Sequence, residues 1–565
     1  MIKDRIKNLR NKFKRYNIDG YIISKNDEFF SEYSKINRLK IISNFSGSAG
    51  YAIILKNKNF LFVDGRYTIQ AQIESANNFK IVEYSKLFNC DLFKNLTIGL
   101  DPRLFTSSQI KKIFHRNNKF KIIDVNLVDK IVKKKSIFSK PFFSLSEKIT
   151  GQGFKIKINK IVKFLKKNRL DYIFVSAPEN LAWLLNIRGS DNPNSPIPNA
   201  HLFLDSKKNI HLISEKKKCK DLLKEKKISS NQVIEPKYFE RFINQLKGKK
   251  ILIDLNTCSI FYENILKKRF KVLKKEDPIY ILKSLKNKIE IKNMINSHIY
   301  DGVALTKFLF WIKKINKKQI TEYDAQNKLE DFRKKSPYYL YPSFQTIAGS
   351  GANGAIIHYR ATKKNTKKIN KKDIFLCDSG GQYKYGTTDV TRTICFSSPK
   401  KNIKNIFTKV LKGHIAVTNS NLNKIKTGNL IDLRARNFLK KINLDYSHGT
   451  GHGVGFFSNV HEGPQAISKY NKIKISEGMI LSNEPGYYKK GHFGVRIENL
   501  IYVKKLKKKL FFENLTLAPI ENDLIDYKQL NENEKDYLFK YNMLVYKKLS
   551  PFLNKDEKKW LASFI

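Results

Sequence analysis

The sequence is poor in cysteine and has no long apolar run. Its cysteines are five in number, widely spaced and never arranged as CxxC: Cys90, Cys219, Cys258, Cys377 and Cys395. This usage excludes a disulfide-stabilised scaffold and a thiolate zinc site, and it predicts a cytoplasmic protein. No stretch approaches the ~18 consecutive apolar residues of a membrane span, and the first twenty residues lack a signal-peptide core. We therefore expect no association with a membrane.

Acidic residues are also scarce. There are 50 Asp and Glu against 109 Lys and Arg, which gives a formal net charge of +59. Such a surplus is typical of proteins that bind nucleic acid or anionic membranes. Here, however, the lysines accompany abundant Asn and Ile in every segment and form no separate basic block. We interpret the charge as a bias of the whole composition and expect no specific binding of nucleic acid.

Length and hydrophobic content indicate several folded domains. The chain has 565 residues, of which 41% are hydrophobic. At ~100–200 residues per domain, this length corresponds to roughly three or four domains. The lysine-rich stretch at 131–141 has the composition of a linker. From about residue 280 helical segments appear, then a glycine-rich stretch with clustered His, Asp and Glu, and finally a basic, aromatic tail with the pattern of one or two helices.

The first half of the chain contains an internal repeat. LDYIFVS at 170–176 resembles IDGYIIS at 18–24, and both have the pattern of buried strands. LLNIRGS at 184–190 resembles ISNFSGS at 42–48, with Asn186 aligned to Asn44. Chance similarity of low-complexity sequence is the alternative. We predict two related α/β domains at 1–135 and 145–280, a third domain at 285–505 and a C-terminal helical extension at 506–565.

Two predicted hairpins each carry two carboxylates. In FLCDSGGQYKYGTTDVTRTICF (375–396), a hairpin can place Asp378 opposite Asp389, at ~4.5–5.5 Å between Cβ atoms. Two ionised carboxylates at that separation repel unless a cation lies between them. In SNEPGYYKKGHFGVRIENLIYV (482–503), Glu484 ends a strand and Glu498 lies inside an apolar one, so Arg496 or a metal must hold it. The alternative is that Asp378 caps a turn and Asp389 is solvated.

Three of the ten histidines fall within HGTGHGVGFFSNVHEGP (448–464): His448, His452 and His461. The glycines between them argue against a helix of the HExxH type, so we expect loop or strand residues. One imidazole added to four carboxylates is an oxygen-rich ligand set that suits Mn, Co or Fe(II). A glycine-rich loop with solvated histidines is the alternative.

The stretch YPSFQTIAGSGANGAIIHYR (341–360) contains GxGxxG. Dinucleotide binding requires this motif to follow a strand and open a helix. AIIHYR instead has the pattern of another strand, so we reject dinucleotide binding. This strand carries His358, which is either a site residue or a core histidine with its hydrogen bonds satisfied.

In their order and context, five of these residues resemble the metal ligands of the pita-bread metallopeptidases: Asp378, Asp389, His452, Glu484 and Glu498. The phrases GAIIHYR, DSGGQYKYGTTDVTRT, HGTGHGVG, NVHEGP, EPGYY and VRIEN resemble the Xaa-Pro aminopeptidases in particular. The runs NFSGSAG, VDGRY and NLAWLLNIRGSD are similar to the long, three-domain form of that family. The resemblance thus covers nearly the whole chain and implies an α+β protein. Its C-terminal pita-bread domain would follow two related α/β domains of the creatinase N-terminal type.

The resemblance also implies a dinuclear metal site. The family implies two divalent ions, usually manganese, that would share a water and lower its pKa enough to supply hydroxide. Asp378 is similar to a ligand of one ion, His452 and Glu484 to ligands of the other, and Asp389 and Glu498 to bridging ligands. Glu484 would also act as general base. His358, His448 and His461 match substrate-side histidines, and Arg496 matches an arginine behind the ligands.

The implied reaction is removal of the N-terminal residue from peptides with proline at position 2. Tyr488 and Phe344 are candidates for the wall that receives the proline ring. A homodimer is expected. The alternatives are a prolidase, with Arg360 or Arg496 reading the dipeptide carboxylate, a metal-free creatinase relative, and a non-catalytic scaffold that binds nucleic acid or protein. The sequence departs from many relatives at Tyr385, where an acid commonly precedes Gly-Thr-Thr-Asp.

Overall fold

A computed structural model describes residues 1–88, 93–114, 119–132, 140–315 and 320–565. The chain forms two compact units, residues 1–280 and 281–565. Most of the predicted linker at 131–141 lies outside the described residues. Within the described ranges, no helix is both long and apolar enough to cross a membrane.

The first unit begins with a mixed six-stranded sheet of order β4-β3-β2-β1-β5-β6. Strand β2 is antiparallel to both of its neighbours, β1 and β3, whereas β4, β5 and β6 each join a parallel partner. The strands are β1 Gly20–Ser24, β2 Tyr51–Leu55, β3 Asn59–Val63, β4 Lys80–Glu83, β5 Thr97–Leu100 and β6 Lys119–Ile122. The helices are α1 Ile2–Arg10, α2 Phe13–Tyr16, α3 Arg38–Ser43, α4 Thr68–Ser75 and α5 Ser107–Ile113.

A second six-stranded sheet in this unit has the order β12-β11-β10-β8-β13-β14, with the same pattern of strand directions. The prediction of two related α/β domains is confirmed. The strands are β7 Phe143–Ser144, β8 Tyr172–Val175, β9 Ile187–Arg188, β10 His201–Asp205, β11 Ile210–Ile213, β12 Val233–Ile234, β13 Lys250–Asp254 and β14 Lys271–Lys275, where β7 and β9 pair separately. The helices are α6 Glu147–Thr150, α7 Phe154–Lys167, α8 Pro178–Leu185, α9 Lys220–Lys224, α10 Phe239–Asn244 and α11 Ile260–Arg269.

The two asparagines that align in the sequence repeat each end a helix in the left-handed conformation. Asn44 ends α3 with φ = 67°, and Asn186 ends α8 with φ = 52°. Asparagine is one of the few residues that accept this left-handed conformation without a large steric cost. The Asn186 side chain also accepts a 2.7 Å hydrogen bond from the buried ammonium of Lys157. The aligned asparagines of the repeat therefore lie at equivalent helix ends in the two domains.

The second unit contains two α-β halves. In the first half, helices α13 and α14 accompany the sheets β16-β17-β20 and β15-β18-β19. The bounds are α12 Ile279–Ser284, α13 Lys288–Lys314, α14 Glu322–Lys334, β15 Tyr339–Pro342, β16 Ile347–Ser350, β17 Phe375–Ser379, β18 Gly381–Tyr383, β19 Gly386–Thr387 and β20 Val390–Ile394.

In the second half, helices α15 and α16 accompany the sheet β22-β21-β23-β26-β27 and the hairpin β24-β25. Two helices close the chain, as predicted. The bounds are α15 Lys401–Thr418, α16 Gly428–Lys440, β21 Gly451–Gly453, β22 Glu462–Ile467, β23 Ile480–Asn483, β24 Gly486–Lys489, β25 Phe493–Arg496, β26 Asn499–Leu506, β27 Lys509–Asn514, α17 Glu532–Leu549 and α18 Lys555–Ala562.

The two halves share one bridge geometry. Thr321, which caps α14, forms an isolated antiparallel bridge with Lys368. Thr427, which caps α16, forms the same bridge with Lys474. Both residues of the second bridge lie 106 positions after their counterparts (427 − 321 and 474 − 368). This spacing agrees with the pseudo-symmetry of a pita-bread domain.

The segment AIIHYR is not a strand, so that prediction was wrong. It follows a 3₁₀ turn at Gly351–Ala355 and continues as bends and turns. The buried carboxylate of Glu322 organises this region, because it accepts hydrogen bonds from Ser350 N at 2.8 Å, Tyr359 OH at 2.8 Å and Lys367 N at 3.0 Å. A tertiary contact thus overrides the local strand pattern.

Candidate metal centre

The four carboxylates and the histidine of the predicted ligand set lie at strand ends or in short strands of the second unit. Asp378 is in β17, and Asp389 immediately precedes β20. His452 is the central residue of the three-residue strand β21. Glu484 follows β23, and Glu498 lies in the break between β25 and β26. Five separate positions in the sequence therefore present acidic or imidazole side chains from neighbouring strands.

Two details of the hairpins differ from the sequence prediction. The register pairs Asp378 with Thr391 rather than with Asp389, because β18 and β19 intervene between β17 and β20. The return strand VRIENLIYV is interrupted before Asn499, where Glu498 N donates instead to Thr391 O at 3.1 Å. This break turns the Glu498 backbone toward β20.

The side chains of the second hairpin and of β21 converge with those of the first. His452 Nε2 lies 3.4 Å from Asp389 Oδ2 and 3.5 Å from Glu484 Oε1. Ligand atoms of Asp389, His452 and Glu498 all lie within 4.8 Å of one another. Asp389 and Glu498 are buried, whereas the side chains of His452 and Glu484 remain 19% and 18% exposed. The cluster is therefore open to solvent on the His452 and Glu484 side.

Arg496 links Asp378 to the rest of the cluster. Its Nη2 donates to Asp378 Oδ2 at 2.6 Å, and its Nε donates to Thr391 Oγ1 at 3.1 Å. Thr391 Oγ1 in turn donates to Glu498 Oε2 at 2.8 Å. Arg496 therefore pairs with one carboxylate directly and reaches Glu498 only through a threonine. Sequence reasoning did not identify this role of Thr391, since nothing in the pattern TTDVTRT distinguishes it from the neighbouring threonines.

The carboxylates are held where ionisation is costly. Burial raises the pKa of Asp378 to about 7, although Arg496 opposes the change, and burial together with Asp389 raises the pKa of Glu498 well above its usual range. Burial also raises the pKa of Glu484. Burial opposes the charging of His452, but the carboxylates of Asp389 and Glu484 outweigh it and raise its pKa to about 9. Such a group of acids calls for additional positive charge.

Divalent cations fit this set of residues. Asp378 Oδ1 is buried and, among the described residues, has no hydrogen-bond partner. The other donors are carboxylate oxygens and one imidazole, which are ligands typical of Mn, Fe and Co sites. The four carboxylates carry four negative charges, which balance the charge of two divalent ions. The residues present can therefore hold two such ions.

Two of the remaining predicted histidines, His461 and His448, lie next to residues of the cluster or their partners. The His461 ring packs edge-on against His452, with ring centroids 4.2 Å apart. His448 Nε2 lies 2.9 Å from the Tyr488 hydroxyl, which also accepts a 2.6 Å hydrogen bond from Arg496. Tyr488 thus connects His448 with the arginine, a polar role beyond the apolar wall predicted for it.

His358 lies in the turn region after Ala355 rather than on a strand. Its neighbours Ile356 and Tyr359 pack in the same apolar cluster as Tyr488. In addition, Gly354 and Gly494 are in such close contact that a side chain on Gly494 would collide with Gly354 O. The segment that carries His358 is therefore packed against the hairpin β24-β25.

The pita-bread halves and the acidic cluster define a metal-dependent hydrolase of the metallopeptidase class. Family models agree with this assignment over almost the whole chain. Residues 292–505 match metallopeptidase family M24, and residues 508–563 match the C-terminal region of the same family. Residues 5–131 and 133–290 each match a creatinase/prolidase N-terminal domain.

Comparison with known proteins narrows the class. The chain is 36% identical to a probable Xaa-Pro aminopeptidase P of Pyrenophora teres f. teres, over 98% of this chain and 90% of that one. It is 35% identical to Xaa-Pro aminopeptidase 1 of Dictyostelium discoideum, over 100% and 96%. The chain belongs to the Xaa-Pro aminopeptidase group of the M24 metallopeptidase family.

Solved structures agree. An X-prolyl aminopeptidase of Caenorhabditis elegans, described as a cytosolic enzyme with a di-nuclear active site, superposes with a TM-score of 0.92 at 28% identity, covering 100% of this chain and 99% of that one. A prolidase of Pyrococcus horikoshii gives a TM-score of 0.52 at 26% identity and covers only 65% of this chain, although 99% of its own. The expected long form of the fold is confirmed.

Proposed function

We propose that this protein is a metal-dependent aminopeptidase that removes the N-terminal residue from peptides with proline at position 2. The observation that carries the proposal is the convergence of Asp389, His452, Glu484 and Glu498 in one partly open cluster, with Asp378 joined to it through Arg496. All five positions carry ligand-type side chains, which argues against a metal-free relative and against a non-catalytic scaffold.

We assign the ligands as follows. Asp378, Asp389, His452, Glu484 and Glu498 would together hold the two ions. When bound, two divalent ions polarise the scissile carbonyl and acidify a water molecule. Manganese is the proposed metal, since the donor set is rich in oxygen and contains only one imidazole.

Glu484 is the proposed general base. Its carboxylate keeps 18% of its surface exposed and so can reach a water at the open side of the cluster. Ser482 Oγ donates to Glu484 Oε1 at 3.1 Å and fixes the orientation of the carboxylate. Glu484 would accept the proton of the attacking water and later deliver it to the leaving amine.

Three histidines, His358, His448 and His461, would bind or position the substrate. His461 is exposed beside His452 and can donate to the oxyanion of the tetrahedral intermediate. His448 is oriented by its contact with Tyr488 and would position the peptide. We assign His358 to the same group, and the packing of its neighbours Ile356 and Tyr359 with Tyr488 supports this. Arg496 maintains the orientation of Asp378 rather than contacting substrate.

Two further proposals concern the setting of the enzyme. We propose a cytoplasmic location, which the scarcity of cysteine supports. Within the part of the chain that the structure describes, Cys219, Cys258, Cys377 and Cys395 are free and buried. We also propose a homodimer. Cross-linking, together with light scattering of the purified chain, tests the second proposal.

The function is tested by metal depletion and restoration. The chain is stripped with a chelator and assayed on Xaa-Pro-Xaa peptides with and without added Mn²⁺. We expect hydrolysis only after metal is restored, with release of the N-terminal residue. Activity that persists after verified removal of metal would contradict the proposal. A peptide with alanine at position 2 is the matched control substrate and should be cleaved poorly.

A further inference from the structure

Arg392 is a fully buried cation just behind the proposed metal ligands. It lies in β20, three residues after Asp389, and its side chain is 1% exposed. Its guanidinium donates six hydrogen bonds of 2.7–2.9 Å, and all six acceptors are uncharged oxygens: Thr391 O, Glu498 O, Asn499 Oδ1, Ala518 O, Pro519 O and Tyr541 OH. Only arginine offers five N–H donors in a rigid fork, and the two N–H groups of Nη2 here serve three acceptors between them.

One nitrogen of this group ties two residues of the site together. Nη1 donates both to Thr391 O at 2.9 Å and to Glu498 O at 2.7 Å. The same two residues are joined at their side chains, where Thr391 Oγ1 donates to Glu498 Oε2. Glu498 is thus fixed at its main chain by Arg392 and at its carboxylate by Thr391. Because the residue lies in a break between strands, ladder hydrogen bonds do not hold it on both sides.

The C-terminal region supplies half of the acceptors around Arg392. Ala518 O, Pro519 O and Tyr541 OH all belong to residues 508–563, which follow the ligand-bearing strands. Tyr541, in α17, occupies the centre: it accepts from Arg392 at 2.9 Å and donates to Ala518 O at 2.9 Å. A continuous path of hydrogen bonds therefore runs from the C-terminal helix α17 to the backbone of Glu498.

We propose that Arg392 and Tyr541 are positioning residues for Glu498, and that the C-terminal region through them sets the affinity of the site for divalent ions. The proposal rests on the role of Glu498 as a metal ligand. Loss of the Tyr541 hydroxyl removes one acceptor of Nη2 and frees the guanidinium to shift, which loosens its hold on Glu498 O. Loss of an outer partner of a metal ligand typically lowers metal affinity about 10–100-fold.

Tyr541→Phe tests the proposal with the smallest possible change. Mn²⁺ is titrated into the metal-stripped full-length chain by calorimetry, and we expect the Kd to rise about 10–100-fold. Tyr537→Phe is the matched control. This tyrosine is one turn away in α17 and its ring stacks with Tyr541, but its hydroxyl hydrogen-bonds to Asn514 and Thr418 instead. We expect the control to bind Mn²⁺ like the wild type.

A structural role alone gives a different result. In that case, Tyr541→Phe and Tyr537→Phe would lower the denaturation midpoint of the metal-free chain alike and leave the Kd for Mn²⁺ unchanged, which overturns the proposal. The visible absorption of the Co²⁺-loaded chain at saturation gives a second readout, because it reports ligand geometry; we expect Tyr541→Phe alone to alter it.

Arg392→Lys provides a second variant, since lysine keeps the charge but has three N–H donors instead of five and cannot bind all six acceptors. We expect its Kd for Mn²⁺ to exceed that of Tyr541→Phe, and an affinity equal to wild type would overturn the proposal. If the wild-type chain itself binds no Mn²⁺, the proposed metal centre fails together with the positioning role. Normal binding by the wild type and by Tyr541→Phe overturns the positioning role only.

Discussion

Lys286 and Glu462 form an ion pair in which each side chain is only 1% exposed. Lys283 lies 3.3 Å from the other carboxylate oxygen, so one buried acid faces two lysines. Burial lowers the pKa of Lys286, although Glu462 opposes the change. Glu462 directly follows His461 and begins β22. The pair therefore anchors the strand that leads away from a proposed substrate-side histidine.

We predict that Glu462→Gln lowers the free energy of unfolding by about 3 kcal/mol, because it leaves the buried ammonium groups of Lys283 and Lys286 without their carboxylate partner. Glu513→Gln is the control: it breaks the Lys504–Glu513 pair at 2.8 Å, in which the side chains are 46% and 39% exposed. An exposed pair of this kind contributes about 1 kcal/mol or less. Urea denaturation of both variants measures the difference, and equal losses would contradict the prediction.

Glu484→Gln should preserve the fold and nearly abolish hydrolysis. The amide cannot accept a proton from water, and loss of a general base typically reduces the rate about 10²–10⁴-fold. The measurement is kcat on an Xaa-Pro-Xaa peptide at saturating Mn²⁺, with metal content determined in parallel. Turnover close to wild type, at normal metal content, would show that Glu484 is not the base.

Peptides longer than dipeptides should be preferred. A prolidase must read a carboxylate directly after proline. Arg496 is poorly placed for this, because it is buried and three of its five N–H donors already bind Asp378, Thr391 and Tyr488. We therefore expect kcat/KM to be higher for Xaa-Pro-Xaa-Xaa than for Xaa-Pro. A preference for the dipeptide would identify a prolidase and leave Arg360 as the reader of the carboxylate. Arg360→Gln would then remove the preference.

The free energy of unfolding should fall in mild acid because His201 is buried in its neutral form. Its ring is buried against Phe174 and Tyr262, and burial lowers its pKa from 6.5 to about 4. The unfolded chain therefore binds a proton between about pH 6.5 and 4 that the folded chain does not. The contribution of His201 is complete above pH 6.5 and is lost as the pH falls, by about 2 kcal/mol between pH 7 and pH 5.

The experiment compares the free energies of unfolding at pH 7 and pH 5 for wild type and His201→Gln. The glutamine amide can replace the ring as the partner of Ser176 O, which lies 2.9 Å from Nδ1. The variant should lose less stability on acidification than the wild type. His492→Gln, at an exposed position, is the control and should follow the wild type. An identical pH dependence in all three chains would exclude His201 as a source.

Nucleic acid binding should be weak and non-specific despite the charge of +59. Contacts made by scattered lysines depend on counterion release, so binding seen at low salt should vanish near physiological ionic strength. Fluorescence anisotropy with labelled DNA and RNA across a salt series measures this. A tight complex that survives ~200 mM salt would instead support the scaffold alternative.

The ligand-type residues could be identified from the sequence because they are charged or polar side chains within or next to apolar strands. Burying a carboxylate such as that of Glu498 costs free energy unless the charge is paired. A carboxylate inside an apolar run can therefore be recognised from the sequence alone. Arg392 could not be picked out in this way. Five of its six acceptors come from residues 106–149 positions later in the chain, and no local spacing rule brings Tyr541 beside it.

The strand predicted at AIIHYR failed for a related reason. The segment has the apolar pattern of a strand, but its neighbourhood is organised by Glu322. The Glu322 carboxylate accepts hydrogen bonds from Ser350 N, Tyr359 OH and Lys367 N, which lie 28–45 positions later in the chain. A single buried carboxylate of this kind is not visible in a hydropathy pattern. Predictions were therefore most reliable where periodicity and burial agree, as in β1 and β8, and least reliable where one side chain organises a loop.

Asn44 and Asn186 sit at the same left-handed helix end in two domains whose sequences otherwise differ widely. Their partners are not the same, since Asn186 holds a buried lysine whereas Asn44 donates only a 3.4 Å bond to Glu74 O. The shared property is the torsion angle alone. Both domains therefore place the same demand on the backbone at this helix end, and asparagine meets it in each, whereas the contacts of the two side chains are specific to each domain.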